Sequence, residues 1–319
     1  MREPNPFATI QQIAGGYCLP RCLHVVADLG VADALDEMPR TAADLAAAVG
    51  ANPDALARVL RLLAAYGVFE MRGGMIHHSS ASRLLRDDHP QSMRAFARMF
   101  GLPLNWAIFG QMGYAVRTGL PAVTEVHPDG FWAYLTHHPE EGRVFNAAIV
   151  ATYDFSKYGS VSDIGGGRGH LLHAVLDAVP TARGVLFDLP HVIEEAADIA
   201  SDRLTLQAGD FFHDTLPHCD AYLLMEIIHD WGDDESVAIL RAVRAAAPPH
   251  ATVLLIETLV PDDPEPDWSK MLDIHMLTLL GGRQRTRQEY AALLDQAGFR
   301  FQREIDTGAG ISLVEATVA

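Results

Sequence analysis

Residues 161–169 read Val-Ser-Asp-Ile-Gly-Gly-Gly-Arg-Gly, a short strand pattern that runs without a spacer into a turn with Gly165, Gly167 and Gly169. Few folds accept such a junction. Glycine reaches left-handed turn angles at little cost, and with no Cβ in the way a ligand can approach the backbone closely. The pattern predicts a strand edge that seats a small adenosine-bearing cofactor. Two phosphate-binding loops are excluded by spacing. A dinucleotide fingerprint needs glycine at its first, third and sixth positions, whereas the sixth residue from Gly165 is His170 and from Gly167 is Leu172. No Gly-Lys-Ser/Thr follows, which removes the Walker arrangement.

The chain downstream repeats strand and helix patterns. Short apolar runs at 161–164, 185–187, 204–207, 221–224 and 252–256 alternate with helical stretches, which predicts an α/β fold: a Rossmann-like, doubly wound parallel sheet covered on both faces. A last strand at 310–318 follows a helix opened by a Thr286 to Glu289 capping box. The second run ends in Asp188, 23 residues beyond Gly165, where such folds hold the acid that accepts hydrogen bonds from ribose hydroxyls. After the third comes Gly209-Asp210-Phe211-Phe212, which alone also reads as a polar turn with a core phenylalanine.

Residues 1–100 read as a separate helical unit. Thr41 and Asp44 form a capping-box signature, Leu45 and Val49 share a face, and Gly50 supplies a stop. Asn52 is the cap of a second helix with Pro53 at its first position, and Leu56, Val59, Leu60 and Leu63 repeat at helical spacing before Gly67. Residues 68–71, the Gly73-Gly74 turn and residues 75–77 read as a hairpin. Together these elements make a winged-helix module, so a metabolite-sensing transcription regulator is the rival from another class. Asp54, Arg58 and Arg61 are too few polar positions for reading base edges and holding phosphates. The segment 10–35, rich in Ala, Leu and Val with Pro20 interrupting it, suits packing either within one subunit or against a second copy in a homodimer. Residues 101–319 hold bridging helices and the sheet domain. The mostly helical stretch 90–150 carries Trp106, Phe109, Trp132, Tyr134 and Phe145, which suit a substrate pocket or a core.

A chain of 319 residues with 49% apolar content can fill sizeable cores. No apolar stretch reaches the roughly 18 to 20 residues that span a bilayer, and the first residues lack a signal-peptide layout; a cytoplasmic protein with no membrane partner is expected. Cys18, Cys22 and Cys219 match no disulfide or zinc framework. A formal charge of −17 disfavours nucleic acid. His77-His78 and His137-His138 lack a ligand constellation, and Asp233, Asp234 and Glu235 suit a helix start, so no metal is expected.

Ligands of open parallel sheets sit beyond the carboxyl ends of the strands. Two chemical groups fall there: His229, in the loop after the fourth run, and Glu257, at the end of the fifth. If the two strands are neighbours, imidazole and carboxylate meet above the sheet. A phenol with a pKa near 10 is a poor nucleophile at neutral pH, and a histidine near 6.5 can take its proton. A carboxylate on the other ring nitrogen would fix the tautomer.

The Asp-x-Gly-x-Gly-x-Gly turn resembles motif I of class I S-adenosylmethionine-dependent methyltransferases. With Phe187-Asp188-Leu189-Pro190, Gly209-Asp210-Phe211-Phe212, His229-Asp230-Trp231, Glu257 and Arg285-Thr286 before Glu289-Tyr290, the whole chain resembles the small-molecule O-methyltransferases. That family includes plant phenylpropanoid and flavonoid enzymes, hydroxyindole methyltransferases and bacterial enzymes acting on polyketides, phenazines and carotenoids. The resemblance implies a winged-helix dimerisation unit, S-adenosylmethionine as cofactor with S-adenosylhomocysteine as product, and a hydroxylated aromatic or polyketide-like acceptor. It makes His229 the base and Glu257 its orienting acid, with Asp163, Gly165, Gly167, Asp188, Asp210, Phe211 and Met225 on the cofactor. Asp210 and Phe211 would lie along the adenine. Met225 stands where plant relatives have lysine, and Gln284 stands where many relatives have a second acid, which leaves Glu257 as the sole carboxylate expected beside His229. A family member that binds cofactor without transferring methyl also fits these residues.

Overall fold

The computed structural model describes residues 5–89, 91–126, 150, 152–307 and 310–319. Trp132, Tyr134, Phe145, His137 and His138 lie outside them. The chain divides into two units, Met1–Ala107 and Ile108–Ala319.

In the first unit the helix Ala42–Val49 starts at Thr41, whose hydroxyl accepts from the Asp44 N–H at 3.1 Å while the Asp44 carboxylate accepts from the Thr41 backbone, and it stops at Gly50 in a left-handed conformation. The next helix, Pro53–Ala65, is capped by the Asn52 side chain and buries Leu56, Leu60 and Leu63, leaving Asp54, Arg58 and Arg61 exposed. Strand β1 (Arg40–Thr41) pairs with β3 (Met75–His78), which pairs with β2 (Phe69–Arg72), all antiparallel. Gly73 and Gly74 both take positive φ, as the tight hairpin turn requires. The β1 pairing escapes sequence reading because two residues carry no periodicity. Pro20 does not interrupt a helix as its sequence position suggests. It sits in the first turn of Cys18–Asp28, where its missing N–H is not needed, and the break from the preceding helix Pro6–Ala14 falls at Gly15. Pro6–Ala14 buries no residue and exposes Phe7, Ile10 and Ile13 along one side.

The second unit is a seven-stranded sheet. Its strands are β4 (Ser160–Ile164), β5 (Arg183–Asp188), β6 (Leu204–Ala208), β7 (Ala221–Met225), β8 (Thr252–Glu257), β9 (Phe299–Asp306) and β10 (Ser312–Val318), in the order β6-β5-β4-β7-β8-β10-β9. The pairs from β6 to β8 are parallel and β10 runs antiparallel between β8 and β9. Strands β7 and β8 are buried along nearly their whole length, as expected for central strands with both faces covered. The edge strand β9 alternates and carries exposed Arg300, Gln302, Arg303 and Glu304, which discourages further strand pairing. One core lies over Leu224, Val253, Leu255 and Tyr290, the other over Val161, Leu186, Leu223 and Leu254. Strand order reverses between β4 and β7, a topological switch point that opens a crevice at the carboxyl edge.

Among the described residues no helix is long and apolar enough to cross a membrane. Cys18, Cys22 and Cys219 are all free thiols.

Candidate active site

The glycine turn leaves β4 on one side of this crevice. Gly165, Gly167 and Gly169 all take positive φ, between 58° and 69°. A Cβ at Gly167 would meet nothing within 4 Å, so its backbone faces open space, whereas one at Gly165 would stand 2.6 Å from Ile227 Cδ1. Gly165 is therefore where the turn and the loop after β7 close on each other, and both need it without a side chain.

Asp188, at the end of β5, accepts from the Gly167 N–H at 2.8 Å with one oxygen and from the Leu189 N–H at 2.7 Å with the other. Burial pushes its carboxyl up, and these two donors work against that. Its remaining lone pairs stay available to hydroxyl donors. Asp163 lies beneath the turn and is buried; a Cβ at Gly166 would come within 2.5 Å of its Cγ. Burial and the nearby Asp188 push the Asp163 carboxyl up to about 7. Its place is under the loop rather than on the open side. Asp210 turns inward on its own segment, accepting from the Phe212 N–H at 2.9 Å and lying 2.8 Å from His213 Nδ1; the first of these contacts leads in holding its carboxyl below the usual range. Phe211, Phe212 and Trp231 form an edge-to-face trio with ring centroids 4.9 to 5.9 Å apart, a geometry that favours aromatic pairs. Met225 ends β7 and packs against the Leu186 side of the sheet.

Across the switch point, β7 and β8 are parallel neighbours with Met225 opposite Ile256. His229, in the turn Ile228–Asp230, then meets Glu257: Nδ1 lies 3.1 Å from Oε2 and both side chains are buried. The other Glu257 oxygen accepts from the Ile228 N–H at 2.9 Å. Glu257 is not the sole carboxylate partner. Asp230 Oδ1 lies 3.2 Å from His229 Nε2, because the tight turn folds the adjacent side chain back onto the ring. Burial opposes charging of His229, but Glu257 and Asp230 outweigh it and hold its pKa well above the ordinary histidine value. Burial pushes the Asp230 carboxyl up. The Gln284 carboxamide also reaches the ring, with Nε2 2.8 Å from Nδ1.

Of the supporting residues, Glu226 and Gly282 have no signal in the linear sequence. Glu226 leaves β7 at φ 54° while its N–H stays in the ladder, donating to Ile256 O at 2.9 Å; left-handed geometry costs a side-chain-bearing residue roughly 1–2 kcal/mol. Burial pushes the Glu226 carboxyl up, and His229 pulls against it. Arg285 is buried and donates to Ile228 O at 3.0 Å, to Trp231 O at 2.8 Å and to Asp233 Oδ1 at 2.8 and 3.0 Å, so it clamps both ends of the turn that carries His229. Gly282 lies against the same turn, where a Cβ would fall 2.1 Å from His229 O. An Arg-Thr pair ahead of a capping box is a sequence cue for Arg285, but only the fold shows what the guanidinium holds.

Among the described residues no cluster of His, Cys, Asp or Glu has the arrangement of a metal site. The arrangement offers a bare backbone cradle and ribose-type acceptors on one side, and a buried imidazole between carboxylates on the other.

A family model described as an O-methyltransferase domain matches residues 89–300, and one described as an O-methyltransferase dimerisation domain matches residues 11–88. The chain is 39% identical over 322 residues to phenazine O-methyltransferase PhzM of Lysobacter antibioticus, covering 96% of this chain and 94% of that one. It is 38% identical over 299 residues to 8-amino-8-demethylriboflavin N,N-dimethyltransferase of Streptomyces davaonensis, covering 87% and 85%. A crystal structure of CalO1, a methyltransferase in calicheamicin biosynthesis in its SAH-bound form, aligns with a TM-score of 0.88 at 33% identity, covering 99% of this chain and 100% of that one.

Proposed function

The chain belongs to the O-methyltransferase family, and from that premise we propose that it methylates a hydroxyl of a small aromatic metabolite, using S-adenosylmethionine and His229 as general base. The observation that carries this reading is the buried contact of 3.1 Å between His229 Nδ1 and Glu257 Oε2, placed across the switch point from the glycine turn.

The cradle fits the cofactor. Gly167 offers backbone open to a ligand, Asp188 has lone pairs for ribose hydroxyls, and the Phe211 ring is apolar surface for adenine. Gly165 lets the loop after β7 pack against the turn, Asp163 supports the turn from below, and Asp210 and Met225 complete its rim. The CalO1 complex supports this choice of ligand. When bound, S-adenosylmethionine supplies a methyl carbon made electrophilic by its sulfonium.

The chain's own task is the proton. An amine acceptor attacks with a lone pair already free, whereas a hydroxyl near pKa 10 must lose its proton. His229 takes that proton at Nε2, the ring nitrogen that Asp230 Oδ1 also faces at 3.2 Å, so the acceptor hydroxyl must displace this contact, while Glu257 holds Nδ1 and steadies the imidazolium that forms. A buried base of this kind favours oxygen over nitrogen, although a relative named for dimethylation of an amine shares the fold. Holding the oxygen in line is the larger lever, worth up to about 7–11 kcal/mol against the roughly 10² to 10⁴ in rate from a base.

The first unit serves association of two copies in this reading. The dimerisation model over 11–88 and the exposed Phe7, Ile10 and Ile13 support a homodimer. Incubation with methyl-labelled S-adenosylmethionine and paired aromatic acceptors, each phenol beside its aniline analogue, tests the proposal. Label is expected on the phenols. Label on anilines alone contradicts it.

A further inference from the structure

Glu226 stands where the two sides of the crevice meet. It follows Met225 at the end of β7, and the next residue, Ile227, sets its Cδ1 against Gly165 of the glycine turn. The Glu226 backbone is fixed at φ 54° with its N–H donating to Ile256 O at 2.9 Å. Glycine would hold that angle without strain, yet the position carries a carboxylate; side chains strained in this way cluster at ligand sites. The side chain is partly buried, and among the described residues no hydrogen bond or ion pair reaches its carboxylate. Its charged neighbours are His229, Glu257 and Asp230. Arg285, the nearby guanidinium, is engaged by Asp233 and by the Ile228 and Trp231 carbonyls. A carboxylate withdrawn from water without a counter-charge is costly. The partner this one lacks is a cation that arrives with a ligand.

The strand order says which cation. With adenine along Phe211 after β6 and ribose on Asp188 at the end of β5, the cofactor runs along the sheet edge in the order β6, β5, β4. Its sulfur then lies over the glycine turn, and its amino-acid end extends toward β7, about 10 Å from β5 at two strand spacings. S-adenosylmethionine carries two cations, a sulfonium and an α-ammonium. A carboxylate held on the sulfonium would stabilise the charge that methyl transfer removes and so raise the barrier. One held on the ammonium meets the same charge throughout.

We propose that the Glu226 carboxylate binds the α-ammonium of the cofactor. The inference rests on the placement of adenine and ribose in the proposed function. Glu226 is held by the β8 ladder and not by the Arg285 clamp, so it works with the glycine turn in binding rather than with the base in proton transfer.

The test is calorimetry on the full-length protein without acceptor. The ligands are S-adenosylmethionine, S-adenosylhomocysteine, which keeps the ammonium but not the sulfonium charge, and 5′-methylthioadenosine, which has neither. In Glu226→Gln the dissociation constants of the first two are expected to rise together by about tenfold or more, and that of 5′-methylthioadenosine to stay within about threefold. Glu226→Gly removes the carboxylate and the strain together, so it should melt no lower than the unmodified protein while losing the same two affinities. It carries the test if the glutamine variant does not fold. An unmoved S-adenosylhomocysteine affinity in either folded variant overturns the proposal. So does a loss confined to S-adenosylmethionine, which would put the carboxylate on the sulfonium, and so does an equal loss for all three ligands, which would mean a distorted cradle. Failure of the unmodified protein to bind S-adenosylhomocysteine contradicts the cofactor placement itself, and the proposal falls with it.

Discussion

At the β4–β5 edge of the switch point the working surface is backbone: three glycines at positive φ, with the Gly167 N–H tied to Asp188 at 2.8 Å. At the β7–β8 edge it is side chain, an imidazole between Glu257 and Asp230 under the Arg285 clamp. The first edge needs few partners because glycine geometry is local. The second gathers residues from 226 to 285 and is buried, so each unpaired group would be expensive. In the proposed reading, binding and proton transfer therefore fall to parts of the sheet that fail in different ways.

The sharpest way to break this division is His229→Asn. The expected loss in kcat is roughly 10² to 10⁴, with the cofactor dissociation constant unchanged within about threefold; calorimetry beside steady-state kinetics checks both. Arg285→Met comes next. Removing the clamp takes the guanidinium from the Ile228 and Trp231 carbonyls, which keep longer contacts from the Ser236 hydroxyl at 3.3 and 3.5 Å, at about 2 kcal/mol in all, seen as a melting temperature lower by roughly 4–8 °C. Its kcat should fall while cofactor affinity holds, and the reverse pattern would erase the distinction between the edges. Gly165→Ala has the smallest expected effect. Its φ of 69° and the Ile227 methyl 2.6 Å from the new Cβ strain the turn by about 1–2 kcal/mol, so cofactor binding should weaken roughly 5- to 30-fold. An unchanged dissociation constant would remove the turn from the cofactor site.

The difference between the edges also explains what was legible in the sequence. The glycine turn, Asp188 and the capping boxes at Thr41 and Thr286 are short-range features, and the strands around them alternate with helices clearly enough to give the doubly wound fold. His229 and Glu257 were legible as strand-end residues because neighbouring parallel strands bring their ends together. Asp230 on Nε2 was not, since a tight turn reverses a side chain that sequence order places beside it without direction. Gln284 and Arg285 come from a segment more than fifty residues beyond His229, and only tertiary packing sets their distance. The exposed edge strand β9 carries weak patterning, with five of its eight residues polar and outward, which is why the sequence suggests one terminal strand where there are two.

The raised pKa of His229 gives the most direct test of the base. Its two carboxylate partners stabilise the protonated ring, so this contribution to folding is fully present below the ordinary histidine value and is lost as pH rises through the folded one. Catalysis needs the opposite form. With cofactor saturating, kcat/KM for a phenolic acceptor should climb with pH through a limb above about 6.5, and that limb should be missing from the residual activity of His229→Asn. The same limb in both proteins would show that the proton leaves by another group.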